Sequence, residues 1–217
     1  MNVAVLVPTL GRPDNIARVA RDLYATVDPH DVALYFVIEP QDRESEDAIM
    51  DEMGFVIHNG RSPSYAGAIN TAVLATDEPY LFVGADDLHF HEGWLPPLLA
   101  MAGEFGFGLV GTNDLYNRDV LNGTHATHFL VTREYALTGC VDAPGVLLHE
   151  GYSHNWVDTE VVATAISRAE FAPCLTSIVE HLHPLAGKAG TDTTYEKGRD
   201  SEPLDAQHFA ERRHLWT

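Results

Sequence analysis

Positive charge is scarce in this chain: 13 Lys and Arg stand against 32 Asp and Glu in 217 residues, a formal net charge of −19. That balance argues against a phosphate backbone, so nucleic acid is not an expected partner, and against an anionic membrane surface. Cysteine is nearly absent. Cys140 and Cys174 are too few for a disulfide framework, and a reducing cytoplasm is the compartment they fit. No window approaches the roughly 18 uninterrupted apolar residues of a membrane span, and Met1-Asn2 leads into a strand pattern rather than a signal peptide, so no membrane insertion is expected. The first loop, Pro8-Thr9-Leu10-Gly11-Arg12-Pro13, lacks the spaced glycines of a dinucleotide fingerprint or a phosphate loop. A nicotinamide enzyme or kinase of the usual kind is therefore disfavoured.

What is present is a core. The composition is 45% hydrophobic, and the length fits one large domain or one with a small appendage. Val3 to Val7 is a continuous apolar run, the pattern of a central parallel strand. A helix follows, with Ile16, Val19, Ala20 and Leu23 on one face. Residues 32–38 read as a second strand, 44–53 as a charged helix, 55–57 as a third strand, 66–75 as a helix and 80–83 as a fourth strand. This β-α-β-α-β-α-β alternation implies a parallel sheet with helices on both faces. Beyond Trp94 the alternation weakens. Residues 96–102 and 159–168 read as helices, 106–111, 125–132 and 175–182 as strands. From Gly187 onward polar residues dominate, and the expectation is an exposed tail with a short helix near residues 205–215.

The fourth strand, Tyr80-Leu81-Phe82-Val83, ends in Gly84-Ala85-Asp86-Asp87. Ligands bind outside the carboxyl ends of strands in open α/β sheets, and two adjacent carboxylates there can hold a cation. The same pair also reads as an ordinary turn before Pro96. Pro8, Thr9 and Arg12 end the first strand and can contact a nucleotide or simply turn the chain. Glu39 ends the second strand, where a ribose or base hydroxyl is accepted in a doubly wound sheet. Asn70 is a polar residue on an apolar helix, a donor to a nucleotide or a packing residue. Asp158 opens a helix, where it serves the dipole or acts as a general base. His181 and His183 alternate along a strand and share a face, which suits a ligand site.

In this order the set resembles the GT-A fold glycosyltransferases, in particular the family 2-like group. The second half adds His128-Phe129-Leu130-Val131-Thr132-Arg133, Trp156-Val157-Asp158-Thr159-Glu160 and Glu180-His181-Leu182-His183-Pro184, and the likeness covers residues 2–185. The resemblance implies an α/β fold: a single Rossmann-like GT-A domain whose mixed, mostly parallel sheet is flanked by helices. Residues 1–111 would form the nucleotide-sugar-binding half, 112–185 the acceptor and catalytic half, and 186–217 a C-terminal tail. The implied activity is metal-dependent, inverting transfer of a sugar from a UDP-, GDP- or similar donor to a hydroxyl acceptor. Pro8, Thr9, Arg12, Glu39, Asn70 and Asp86 are then donor contacts. Asp86, Asp87, His181 and His183 are candidate ligands of Mn²⁺ or Mg²⁺, with His183 favoured over His181, and Asp158 is the catalytic base. One departure is Gly84, which stands where many members carry the first Asp of Asp-x-Asp; Ala85-Asp86-Asp87 matches the variant with a small residue before two acids. A sugar-phosphate nucleotidyltransferase would need a Gly-rich, Arg-containing first loop, which is missing here. A non-catalytic sugar-nucleotide binder is the other alternative.

Overall fold

Val3 to Val7 are wholly buried, and they form β1 (Val3–Pro8), the strand on which the sheet is built. In the computed structural model, which describes residues 2–217, β1 lies parallel to β2 (Val32–Ile38) on one side and to β4 (Tyr80–Val83) on the other. The outer strand β3 (Phe55–His58) is parallel to β2. Beyond β4 the sheet turns mixed. β7 (Phe129–Thr132) is antiparallel to both β4 and β6 (Leu109–Asn113), and β6 is parallel to β8 (Phe171–His181). The full order is β3-β2-β1-β4-β7-β6-β8-β5, with β5 (Leu88–Phe90) antiparallel to β8. β8 leaves the β6 register between Gly111 and Asn113, so one long strand serves two neighbours.

Strand alternation divides the core. Val3, Val5 and Val7 face a layer closed by α1 (Pro13–Tyr24) and α4 (Leu95–Gly103), where Trp94 packs edge-on against Phe82. Ala4 and Leu6 face the opposite layer, closed by α3 (Tyr65–Ala75), α6 (Arg133–Thr138) and α7 (Val157–Ser167). The α1 stripe of Ile16, Val19, Ala20 and Leu23 is buried as its spacing requires. Two short helices, α2 (Arg43–Met50) and α5 (Arg118–Leu121), lie between strands.

The end of the chain differs from the sequence expectation. Instead of an exposed tail with a short helix, α8 (Thr193–Arg212) runs for 20 residues and folds back on the domain. Two buried charges fasten it. Arg212 donates to Glu160 on α7 and to Asp142. Asp205 accepts from the consecutive backbone amides of Ser153, His154 and Asn155. Apolar periodicity misses this helix because it is held by ion pairs and a capped loop rather than by an apolar stripe.

Candidate active site

The acidic pair lies in the turn that joins β4 to β5. Arg18, reaching from α1, donates to the carbonyls of Asp86 and Leu88 at 2.6 and 2.7 Å, and the Tyr65 hydroxyl donates to the Gly84 carbonyl. A side chain at position 84 would meet Phe82 at 3.2 Å and the Leu6 carbonyl at 3.3 Å. Position 84 is thus tightly packed. Both carboxylates are buried, Asp86 at 3% and Asp87 at 6% exposure.

Their surroundings divide them. Asp86 has each oxygen committed, Oδ2 accepting from Thr9 at 2.7 Å and Oδ1 from Arg12 at 2.9 Å. Burial raises its pKa more than these partners lower it. Asp86 is thus tied through both oxygens to Thr9 and Arg12, two residues at and just beyond the end of β1. Asp87 accepts at Oδ2 from the Tyr195 hydroxyl at 2.6 Å and stands 3.2 Å from His181 Nε2. Its other oxygen, Oδ1, is buried without a partner among the described residues. Burial opposes its ionisation, yet His181 and Tyr195 outweigh that and hold the carboxyl well below its usual range. Burial would lower His181, but its contact with Asp87 raises it; His128, stacked edge-on at 4.9 Å behind it, is driven by burial down to about 4 and stays neutral. His183 lies 5.1 Å from His181 and uses Nδ1 to cap the Leu185 amide. The imidazole on Asp87 is thus His181. Among the described residues, no group of three or more His, Cys, Asp or Glu side chains is arranged to hold a metal ion.

The start of α8 closes over this turn. Asp192 caps the helix through the amides of Thr194 and Tyr195 and also accepts two hydrogen bonds from Arg12, at 2.8 and 2.9 Å. The Arg12 guanidinium lies 4.2 Å over the Tyr195 ring, whose edge meets His183 at 5.0 Å. Arg12 therefore joins the acidic turn at Asp86 to Asp192 near the end of the chain.

Asp158 lines a cleft of about 430 Å³, at the start of α7. Its Oδ1 accepts from the Thr159 amide at 2.8 Å, and its Oδ2 is 3.2 Å from His125 Nε2. Burial would raise Asp158 and lower His125; their mutual contact reverses both, so the acid is depressed and the histidine elevated. Trp156, just before it, adopts a left-handed backbone with φ 67°. That conformation is uncommon for a bulky residue, and Asp205, by gathering the three amides before it, holds the loop that imposes it.

The other expected residues divide likewise. Pro8 and Thr9 lie at the end of β1, and Glu39 is half-buried beyond β2, where it accepts from Asn59. Asn70, at 2% exposure, donates to the Leu148 carbonyl and Glu150 and accepts from the Leu148 amide, so its amide braces the fold. Sequence reasoning missed His125, Arg18, Asp192 and Tyr195. The one signal for the last two is Asp192 followed by Thr193-Thr194-Tyr195-Glu196, a helix-capping pattern.

The glycosyl transferase family 2 model matches residues 4–157, from β1 to the first residue of α7. The chain belongs to that family. It is a glycosyltransferase of the GT-A fold, and no helix among the described residues is long and apolar enough to cross a membrane. No curated protein matches it. Among solved structures it is similar to glucosyl-3-phosphoglycerate synthase from Mycobacterium tuberculosis in complex with Mn²⁺, UDP and phosphoglyceric acid. That match has a TM-score of 0.68 and 16% identity over 96% of this chain and 78% of the other. The same enzyme with Mg²⁺ and UDP matches at 0.67, with the same identity and coverage. A crystal structure described as a mycobacterial protein matches at 0.64, with 15% identity over 89% and 69%.

Proposed function

We propose that this family 2 enzyme moves a sugar from a nucleoside-diphosphate sugar to a hydroxyl acceptor, using Mn²⁺ or Mg²⁺ at Asp87 and inverting the anomeric carbon. The observation that carries the reading is Asp87 Oδ1, a buried carboxylate oxygen without a partner among the described residues, just beyond the carboxyl end of β4. Such an oxygen is costly unless a cation reaches it. The donor set suits a hard cation: Asp87 supplies oxygen and the adjoining His181 imidazole, which favours Mn²⁺. Too few protein ligands for a closed cage is also what such ions tolerate, because they complete their shell from substrate phosphates and water. The metal and UDP complexes of the similar synthase support the same ligand class here.

When bound, the cation supplies neutralising charge to the departing diphosphate. The protein does the rest. Arg12 exchanges Asp192 for the diphosphate, Asp86 and Thr9 fix Arg12 at the donor edge, and Glu39 accepts from a ribose or base hydroxyl. Asp158 takes the acceptor proton, with His125 holding the carboxylate in place and favouring its ionised form. In this reading residues 1–111 carry the donor site and 112–185 the acceptor and base. Residues 186–217 close the site, and the two buried thiols suit a reducing cytoplasm.

A thermal-shift panel of nucleoside diphosphates with and without Mn²⁺, followed by assay of nucleoside diphosphate release from nucleotide-sugars, tests the proposal. Metal-dependent stabilisation with slow donor hydrolysis is expected. Stabilisation with no hydrolysis and no transfer would leave a sugar-nucleotide binder; no stabilisation by any diphosphate would end the reading.

A further inference from the structure

The cleft around Asp158 carries information about the acceptor. Its walls come from α5, the segment before and within α7, and α8, and no Lys or Arg lines it. Three carboxylates do: Asp119, Asp158 and Glu202. His125 can offset one of them, which leaves the wall negative. An anion entering it meets like charge from two or more sides, and each such encounter weakens binding several-fold in a water-like dielectric.

The uncharged lining is of a different character. Trp156 is half-buried with its ring tilted onto Phe209 at 5.1 Å, and its indole N–H donates to Glu202 at 3.3 Å. One aromatic wall is thereby fixed in orientation. Asn117 caps α5 with its amide oxygen, and its amide N–H groups have no protein partner among the described residues. Asn155 donates to the Gly198 carbonyl and to Ser201, and its amide oxygen is likewise without a partner there. A free donor and a free acceptor beside an aromatic ring match hydroxyl groups, which both give and receive, better than they match phosphate, which only receives. About 430 Å³ falls within the usual range for small-ligand sites.

We infer that the acceptor seated in this cleft is a polyhydroxylated compound without an anionic group, a neutral sugar or polyol, recognised by Trp156, Asn117 and Asn155 and screened by Asp119 and Glu202. The inference rests on the reading of Asp158 as the base. It parts this chain from the similar synthase, whose complexes contain phosphoglyceric acid. Asp119 and Glu202 are the residues that set the charge preference.

The test uses the full chain with Mn²⁺ and UDP bound, as shown by calorimetry, so that failure of the donor reading appears first and separately as absence of UDP binding. Saturation-transfer NMR then ranks glucose, mannose and glycerol against 3-phosphoglycerate and glycerol 3-phosphate. At least one neutral compound should bind, and the anions should bind at least tenfold more weakly. The Asp119→Asn/Glu202→Gln variant should narrow that gap by threefold or more while UDP affinity stays within twofold. Equal or tighter binding of either anion to the wild type overturns the inference. Absence of binding by every neutral compound, or a gap unchanged in the variant, overturns it too.

Discussion

Replacing Tyr195 by Phe removes one oxygen and little else. The ring keeps its place under Arg12 and against His183, since neither contact uses the hydroxyl. What disappears is the 2.6 Å donation to Asp87 Oδ2, one of the two contacts that hold that carboxylate in the absence of a cation. If the cation must take Asp87 from Tyr195, the hydroxyl is a competitor, and its removal strengthens metal binding. A hydrogen bond to a charged group is worth about 1.5–3 kcal/mol. At 1.36 kcal/mol per factor of ten, that is roughly a 10- to 150-fold fall in the Kd for Mn²⁺. Free Mn²⁺, followed by electron paramagnetic resonance during titration of wild type and Tyr195→Phe, reads this directly and needs no donor. Asp87→Ala is the control and should bind Mn²⁺ weakly in either background. An unchanged Kd would show that the hydroxyl leaves Asp87 at no cost, and a weaker one would make Tyr195 a helper of the metal; either result refutes the competition.

Asp158→Asn should retain UDP affinity and lose transfer by about 10²–10⁴-fold, the usual contribution of a general base; a loss under about tenfold removes Asp158 from that role. The His125–Asp158 pair also predicts a pH dependence. The histidine pKa is raised in the folded state, so its stabilisation is complete below its ordinary value of about 6.5 and is lost as pH rises through the elevated one. The melting-temperature gap between wild type and His125→Asn should therefore be widest near pH 5–6 and shrink by pH 9, and a gap that widens with pH would contradict the pairing. Asp205→Ala leaves three loop amides without their acceptor, so it should cost about 2–3 kcal/mol, or about 4–12 °C in melting temperature. A change under 2 °C would mean that water replaces the carboxylate without loss.

The legible parts of this protein were those whose determinants are close in sequence. β1 announced itself through five consecutive apolar residues, and Asp86-Asp87 through its place after a short buried run. The three residues of β5 are too few to show a period, so that strand was not foreseen. Asn70, a polar residue on an apolar helix, invites a functional reading. Here α3 is buried on nearly all sides, and the partner that explains Asn70 is the backbone of Leu148, 78 positions away. His125 meets Asp158 across 33 positions, and Arg12 meets Asp192 across 180. No local pattern encodes such pairs. β8 ends at His181, so His183 lies beyond the strand that was expected to carry both, and which of them reaches Asp87 depends on how β8 aligns with β5.

That alignment has a consequence for how the enzyme is made. β5 pairs with β8 alone, and the Asp87 carbonyl is taken up by the Leu182 amide. Residues at the middle of the chain thus wait for a strand near its end. At about 5–20 residues per second, roughly 5–20 s of synthesis separate Phe90 from His181. During that interval β1, β2, β3 and β4 have their parallel partners, while the acidic turn has no sheet to fix it. The nascent chain therefore carries an assembled scaffold before it carries a site. The acidic turn is complete only with β8 between β6 and β5 and the start of α8 over it.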